Sequence, residues 1–358
     1  MNGRGRMHTR IETRVREAVE ERVFPGCVVG IIRANGSRHI LPFGNLTYEP
    51  DSAKVTADTI YDLASITKSI PTASLALSFI AEGRMGLADK VVEHLPELRN
   101  DRGATIEDLL RYRVQGTTLS TLKEKTPEEI LEYVFAHGFD APPSGEAHYT
   151  NLPAFLLGLI VERVGTDTLD TLAQKYFFDP FGMKDTAFFH IGSYDLPTSV
   201  APTEIVDGQE VHGIVHDESA RVFARAGRAV GHAGLFSTVP DILNFLEALL
   251  QNDGFRKPIM DSARKGLGWQ PARLNDVSPR QNDSVGLGSG GVNDPQFMGK
   301  YAGAHTFGKT GFTGTSCVVD AKRGIAFVIL SNRTYPKRPP DGAAIDAFRR
   351  DIADVVLE

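Results

Sequence analysis

Cysteine is nearly missing from this chain. Its 358 residues include two, Cys27 and Cys317, far apart and each inside an apolar run. A disulfide framework is therefore excluded, and both read as buried free thiols. Long apolar stretches are missing as well. The longest clean run, Gly324 to Leu330, has the length of a strand, and no segment is long enough to span a bilayer. There is no basic excess either. Lys and Arg number 39 against 45 Asp and Glu, a net charge of −6, so no global field favours nucleic acid. The segment Met1 to Val23 is polar and lacks the apolar centre of a signal peptide. As it stands the sequence reads as cytoplasmic; an exported protein would require that a signal had been removed. Neither a repeat nor a low-complexity tract occurs.

What is present suits a soluble globular protein. The hydrophobic fraction of 41% in a chain of this length can bury a sizeable core. From Thr9 to Val23, apolar residues recur at Ile11, Val15, Ala18, Val19 and Val23, the period of an amphipathic helix. Pro25 and Gly26 end it. Cys27 to Ile32 reads as a buried strand, and Asn35-Gly36 signals a hairpin into a second strand around His39 to Tyr48. Helical texture follows at Ser65 to Glu82, Ile106 to Tyr112, Pro127 to Ala136, Leu152 to Val164, Leu169 to Phe177 and Asp241 to Leu250. Strands return at Gly314 to Asp320 and Ile325 to Ser331, joined by a short turn and so antiparallel. Ala343 to Leu357 closes the chain as a helix. The expected fold is α/β of the α+β kind: an antiparallel sheet built from both chain ends, flanked by terminal helices, with a mostly helical inserted domain. Residues 1–60 and 265–358 would form the sheet domain and 61–264 the helical one, with an active site in the cleft between them.

Two nucleotide-binding patterns occur and both lack their context. Gly303 to Thr310 fits G-x-x-x-x-G-K-[ST], but two glycines and several threonines follow, a poor helix start. The strand at Ile325 to Leu330 ends in Ser331-Asn332, without the Asp that would hold magnesium. Gly286 to Gly291 fits G-x-G-x-x-G inside the Gly/Asp/Asn-rich segment Arg273 to Lys300, which reads as loop. A P-loop NTPase is therefore disfavoured.

Three other motifs keep their context. Ser65-Ile-Thr-Lys68 fits S-x-x-K at a helix start, where residues i and i+3 share a face. Lys68 can then reach the Ser65 hydroxyl, which needs a neighbouring base to act as a nucleophile. Tyr149-Thr-Asn151 fits Y-x-N, between a loop and an apolar helix. Tyrosine can serve as a general base where cations depress its pKa, and Asn151 offers a donor and an acceptor to an amide. Lys309-Thr310-Gly311 fits K-T-G on a strand entering a tight turn. A strand edge can pair with an extended amide, and Gly311 permits close backbone approach. Singly, each motif also fits a plain cap, turn or strand end. Together and in this order they point to an acyl-transfer site.

On these motifs, the chain resembles the serine β-lactamase and penicillin-binding-protein superfamily, most closely its class C β-lactamase-like branch. The resemblance runs from about Pro25 to the end and includes "YDLASITKSIPTA", "AHYTNLPAFLLGLIVERV", "GRAVGHAGLFSTVPDILNF" and "FGKTGFTGTS". It implies a β-lactamase/DD-peptidase-like fold and a serine hydrolase working through an acyl-enzyme. The substrate would be a β-lactam, a D-alanyl peptide or, in the esterase-like members, a small ester; a penicillin-binding sensor with little turnover carries the same motifs. Ser65 would be the acylated nucleophile, Lys68 its activating partner and Tyr149 the proton shuttle. Asn151 would bind the substrate amide. Lys309 would bias Tyr149 toward phenolate, and Thr310 would bind a substrate carboxylate. The backbone amides of Ser65 and Phe312 would form the oxyanion hole. No cofactor and no metal are implied; the partner is a small molecule or short peptide, not a nucleic acid or membrane.

The chain departs from that family where Arg111 to Gly116 replaces an H-T-S-G-L-like loop, placing Arg111 and Arg113 near the expected site. Pro71 falls early in the Ser65 helix and is expected to kink it. Lys309 stands where many esterase-like members have His, which leans toward the β-lactamase and DD-peptidase side. His212 and His216 lack metal-ligand spacing. His232 and Trp269 read as packing residues, and no G-x-S-x-G occurs.

Overall fold

The computed structural model describes residues 3–188, 199–272 and 295–358. The glycine pattern Gly286 to Gly291, and most of the loop expected around it, lie outside them.

Six strands form one antiparallel sheet. In chain order they are β1 (Gly26–Arg33), β2 (Arg38–Gly44), β8 (Gln270–Pro271), β9 (Thr306–Thr310), β10 (Ser316–Asp320) and β11 (Ile325–Ser331), numbered among the eleven strands of the described residues. Their spatial order is β2-β1-β11-β10-β9-β8. The first two come from the N-terminal end of the chain and the last four from its C-terminal end, as the sequence pattern led us to expect. Val29 is paired with Leu41 on one side and Ile329 on the other. The central strands are buried on both faces, which explains their near-continuous apolar runs. Alternation sorts the side chains. Val29, Ile31, Phe327, Ile329 and Val318 pack with Ile11, Val15, Ile345, Phe348 and Ile352 of the terminal helices Gly3–Glu20 and Ala343–Leu357. Val28, Ile32, Val328, Leu330 and Val319 face the helical part of the chain. Each such buried side chain contributes about 1.5–3 kcal/mol relative to exposure. Gly30 sits under helix Val239–Gln251, where a Cβ would come 2.4 Å from Val239. Cys27 and Cys317 belong to opposite faces of this sheet, both buried and free.

The middle of the chain is mostly helical, with Pro127–His137, Leu152–Gly165 and Val239–Gln251 close to expectation. It also holds short strands that the sequence does not announce. β3 (Tyr61–Asp62), β4 (Ala187–Phe188) and β7 (Leu235–Ser237) form a small sheet ordered β3-β7-β4. β5 (Glu204–Val206) and β6 (Gln209–Val211) form a hairpin. Two or three residues are too few to show a period of two.

The largest correction concerns Ser65 to Glu82. The chain makes a 3₁₀ turn at Ala64–Lys68, a wider turn at Ser69–Ala73, and an α-helix only from Ser74 to Ala81. Ile70 interrupts the run with φ −119° and ψ 110°. It precedes Pro71, and proline pushes the preceding residue out of the helical region. Likewise the helix expected to reach Tyr112 ends at Leu110, and Tyr112 takes φ +56°. Among the described residues no helix is long and apolar enough to cross a membrane.

Candidate active site

Strand β3 delivers the chain to Ser65 through a tightly bonded corner. Asp62 accepts the Ala64 amide at 2.7 Å through one carboxylate oxygen and the His216 amide at 2.7 Å through the other. Its backbone carbonyl accepts Thr313 Oγ1–H at 2.6 Å, and the Leu63 carbonyl accepts Thr315 Oγ1–H at 3.0 Å. These bonds hold Ala64 at φ +47°, a left-handed conformation that a non-glycine residue keeps only when its surroundings impose it. The turn after β9 lies directly on this corner. A Cβ on Gly311 would sit 2.3 Å from the Leu63 carbonyl oxygen and 2.1 Å from Thr315 Oγ1. Only glycine lets the end of β9 touch the segment that carries Ser65.

Within the 3₁₀ turn, side chains three apart are eclipsed rather than offset as in an α-helix. Lys68 therefore stands directly beside Ser65, and its Nζ donates to Ser65 Oγ at 2.7 Å. A second donation goes to the His232 carbonyl at 2.8 Å. Lys68 is 1% exposed. Burial lowers its pKa to about 7, and the Asp217 carboxylate opposes part of that fall. The ammonium is thus half deprotonated near neutrality while held against a hydroxyl.

Tyr149 enters from the loop before helix Leu152–Gly165 and bonds to the Ser65 side chain. Lys309 Nζ lies 4.4 Å from the Tyr149 ring centroid and Lys68 Nζ 5.4 Å. Both cations approach the ring within the range of cation–π contact. The expected bias toward phenolate is not what this arrangement produces. Burial dominates and pushes the Tyr149 pKa up, with the Ser65 hydrogen bond only partly offsetting it. Tyr149 is a neutral phenol that can donate. Lys309 is itself buried, and burial together with the charge of Lys68 lowers its pKa well below the ordinary lysine value.

The structure thus brings Ser65, Lys68, Tyr149 and Lys309 together. Thr310 is half-buried and Phe312 is 39% exposed at the adjoining turn. Phe312 stacks on His216 with ring centroids 5.7 Å apart. Asn151 donates its amide to Asp217 at 2.9 Å. β9 is not the sheet edge expected for Lys309. The two-residue β8 covers it, but pairs only with Phe307 and Gly308 and stops short of Lys309. Arg111 pairs with Glu107 and Arg113 lies near Asp108, so both are engaged by acids of the helix just before them. His212 bonds to the Val200 carbonyl. Trp269 packs edge-on against Phe307. The P-loop pattern runs along β9 itself, whose Lys309 and Thr310 pair with Cys317 and Ser316 of β10. A strand, not a helix N-terminus, follows it, and no phosphate cradle forms.

Three contributors escaped the motif reading. Tyr112 is buried, with its ring 5.2 Å from the Tyr149 ring and 5.3 Å from Lys309 Nζ. The His232 carbonyl seats Lys68. Asp217 anchors Asn151. The available signals were Tyr112 inside the Arg111 to Gly116 segment and Asp217 standing before "ESARVFAR", a helix start.

Known proteins resemble the chain over most of its length. The family model described as Beta-lactamase matches residues 11–350. A protein of Escherichia coli K12 with the provisional name D-alanyl-D-alanine carboxypeptidase is 27% identical over 319 residues, covering 79% of this chain and 71% of that one. The crystal structure of a β-lactamase/D-alanine carboxypeptidase from Pseudomonas syringae superposes with a TM-score of 0.70 at 20% identity, over 96% of this chain and 98% of the other. EstCE1, a hydrolase with promiscuous acyltransferase activity, superposes at 0.68 and 19% identity, over 98% of both chains. Matched over nearly its whole length by that family model, the chain belongs to the beta-lactamase family of serine hydrolases.

Proposed function

We propose that Ser65 is the nucleophile of an acyl-enzyme pathway acting on a D-alanyl peptide or a β-lactam. The observation that carries this reading is the 2.7 Å contact between Ser65 Oγ and a buried Lys68 whose pKa is about 7. Neutral Lys68 takes the Ser65 proton as Oγ attacks the substrate carbonyl carbon. The tetrahedral oxyanion is received by the amides of Ser65 and Phe312, each such donor typically contributing about 10²–10³ in kcat. Turn bonds between Gly311 and Thr315 and between Gly314 and Gly311 shape the segment presenting Phe312. Tyr149, a neutral phenol beside Ser65, donates its proton to the departing amine, and Lys68 ammonium restores it. Water then enters by the reverse route and releases Ser65. Asn151 meets the substrate amide.

The substrate class rests on Lys309 and Thr310 and on the names of the curated relatives. A carboxylate arriving at Lys309 would favour its ammonium form, which burial and Lys68 otherwise oppose. The site lies where the sheet portion, residues 1–60 and 265–358, meets the helical portion, residues 61–264. To test the class, the protein is offered a D-alanyl-D-alanine peptide, a β-lactam and short acyl esters of p-nitrophenol. Release of D-alanine or opening of the β-lactam ring is expected. Turnover of esters alone would move the assignment to an esterase, and a stable β-lactam adduct without turnover to a penicillin-binding sensor.

The pH dependence follows from Lys68. Below its pKa of about 7 the amine is protonated and cannot accept a proton. kcat/KM is expected to rise tenfold per pH unit up to about pH 7 and then level off. A profile flat from pH 5 to pH 8 would exclude Lys68 as the base.

A further inference from the structure

The carboxylate of Asp217 is a strong charge beside the site that has no part in the acyl-enzyme steps. Asp217 caps helix Glu218–Arg225, accepting the Ala220 amide at 2.9 Å. Ser219 Oγ–H also donates to it at 2.6 Å, and His232 Nε2 lies 3.3 Å from the same oxygen. His232 Nδ1 is buried without a partner, and burial lowers the pKa of this ring. Nε2 is thus the ring nitrogen that meets this cluster, 3.0 Å from Ser219 Oγ and 3.3 Å from Asp217. Capping needs one oxygen only. The other accepts Asn151 Nδ2–H at 2.9 Å from a different part of the chain.

That last bond has a chemical consequence. An ionised carboxylate only accepts hydrogen bonds. The NH₂ end of Asn151 must then face Asp217, and Oδ1 must be turned away from it. Asn151 then offers Oδ1 to a substrate N–H and keeps only its second Nδ2–H as a donor. A second consequence concerns Lys68, whose Nζ rests on the backbone carbonyl of His232, the residue whose ring meets Asp217. The groups facing Lys68 are Ser65, Tyr149, Lys309, His232 and Asp217. Of these, Asp217 alone carries negative charge.

We propose that Asp217 is a positioning residue for the acylation step, fixing the orientation in which the Asn151 amide meets the substrate and supplying a negative charge near Lys68. The proposal rests on Lys68 being the proton acceptor.

Asp217→Asn and Asp217→Ser test it, because both residues still cap a helix. Folding is checked by circular dichroism and melting temperature. Asparagine can present either end of its amide to Asn151, and serine offers no charge. In both variants kcat/KM at pH 8 is expected to fall about 10–10²-fold, as small misplacements of a reacting group do. The acidic limb of the pH profile is expected to move down by about one unit, since loss of a nearby opposite charge makes Lys68 harder to protonate. A limb present near pH 7 in the wild type and unmoved in a folded variant would overturn the proposal, leaving Asp217 as a cap alone. A wild-type profile with no limb near pH 7 would overturn the Lys68 assignment and, with it, the role of the Asp217 charge.

Discussion

Ser65→Ala is expected to reduce kcat/KM about 10⁶-fold, the scale seen when the nucleophile of a serine hydrolase is removed. The fold should be untouched. Ser65 is half-buried and its hydroxyl is engaged by Lys68 and Tyr149. The corner that shapes its backbone is held by Asp62, Thr313 and Thr315, none of which bonds to the Ser65 side chain. A melting temperature near that of the wild type, with activity at background, is the expected pair of results. Activity within tenfold of wild type would mean that another group attacks the substrate.

Lys68→Arg separates two roles that the distance alone leaves merged. If Lys68 contributed only positive charge near Ser65, a guanidinium would preserve much of the activity. If Lys68 accepts the proton, arginine cannot replace it, because guanidinium stays protonated at every accessible pH. We expect kcat/KM to fall about 10³–10⁴-fold, the upper range for general-base catalysis, with no recovery between pH 7 and pH 10. Partial recovery at high pH would contradict the assignment. The low pKa has a structural basis. Lys68 is buried, and its partners are a hydroxyl and a carbonyl, neither of which carries a charge.

Much of the scaffold could be read from residue patterns. β10 and β11 are apolar runs bounded by turn residues, the helix Ala343–Leu357 keeps a clear period, and their ends match within a residue or two. The sheet of both chain ends followed from the same runs. The run from Ser65 has the kink expected at Pro71 and loses more of its α-helix than expected. Its composition from Ser65 to Glu82 favours a helix, but Ile70 before Pro71 leaves the helical region. The S-x-x-K segment before that break is a 3₁₀ turn, which puts Lys68 closer in line with Ser65.

The site was legible where spacing carries the information and illegible where tertiary contact does. S-x-x-K, Y-x-N and K-T-G mark short local stretches. Asp217 and the His232 carbonyl reach the site through contacts spanning 66 and 164 residues of sequence. The protonation of Tyr149 is likewise invisible in sequence. Two lysines nearby suggested a phenolate, whereas burial of the phenol outweighs them. Burial is a property of the packed chain, not of the motif.

Intact-mass spectrometry of a rapidly quenched reaction tests the central claim most directly. The wild-type protein is mixed with a β-lactam and, separately, with a p-nitrophenyl ester, and then peptide-mapped. We expect a covalent acyl adduct on the peptide containing Ser65, absent from Ser65→Ala. Hydrolysis of either compound without such an adduct at any quench time, or an adduct that persists in Ser65→Ala, would contradict the account.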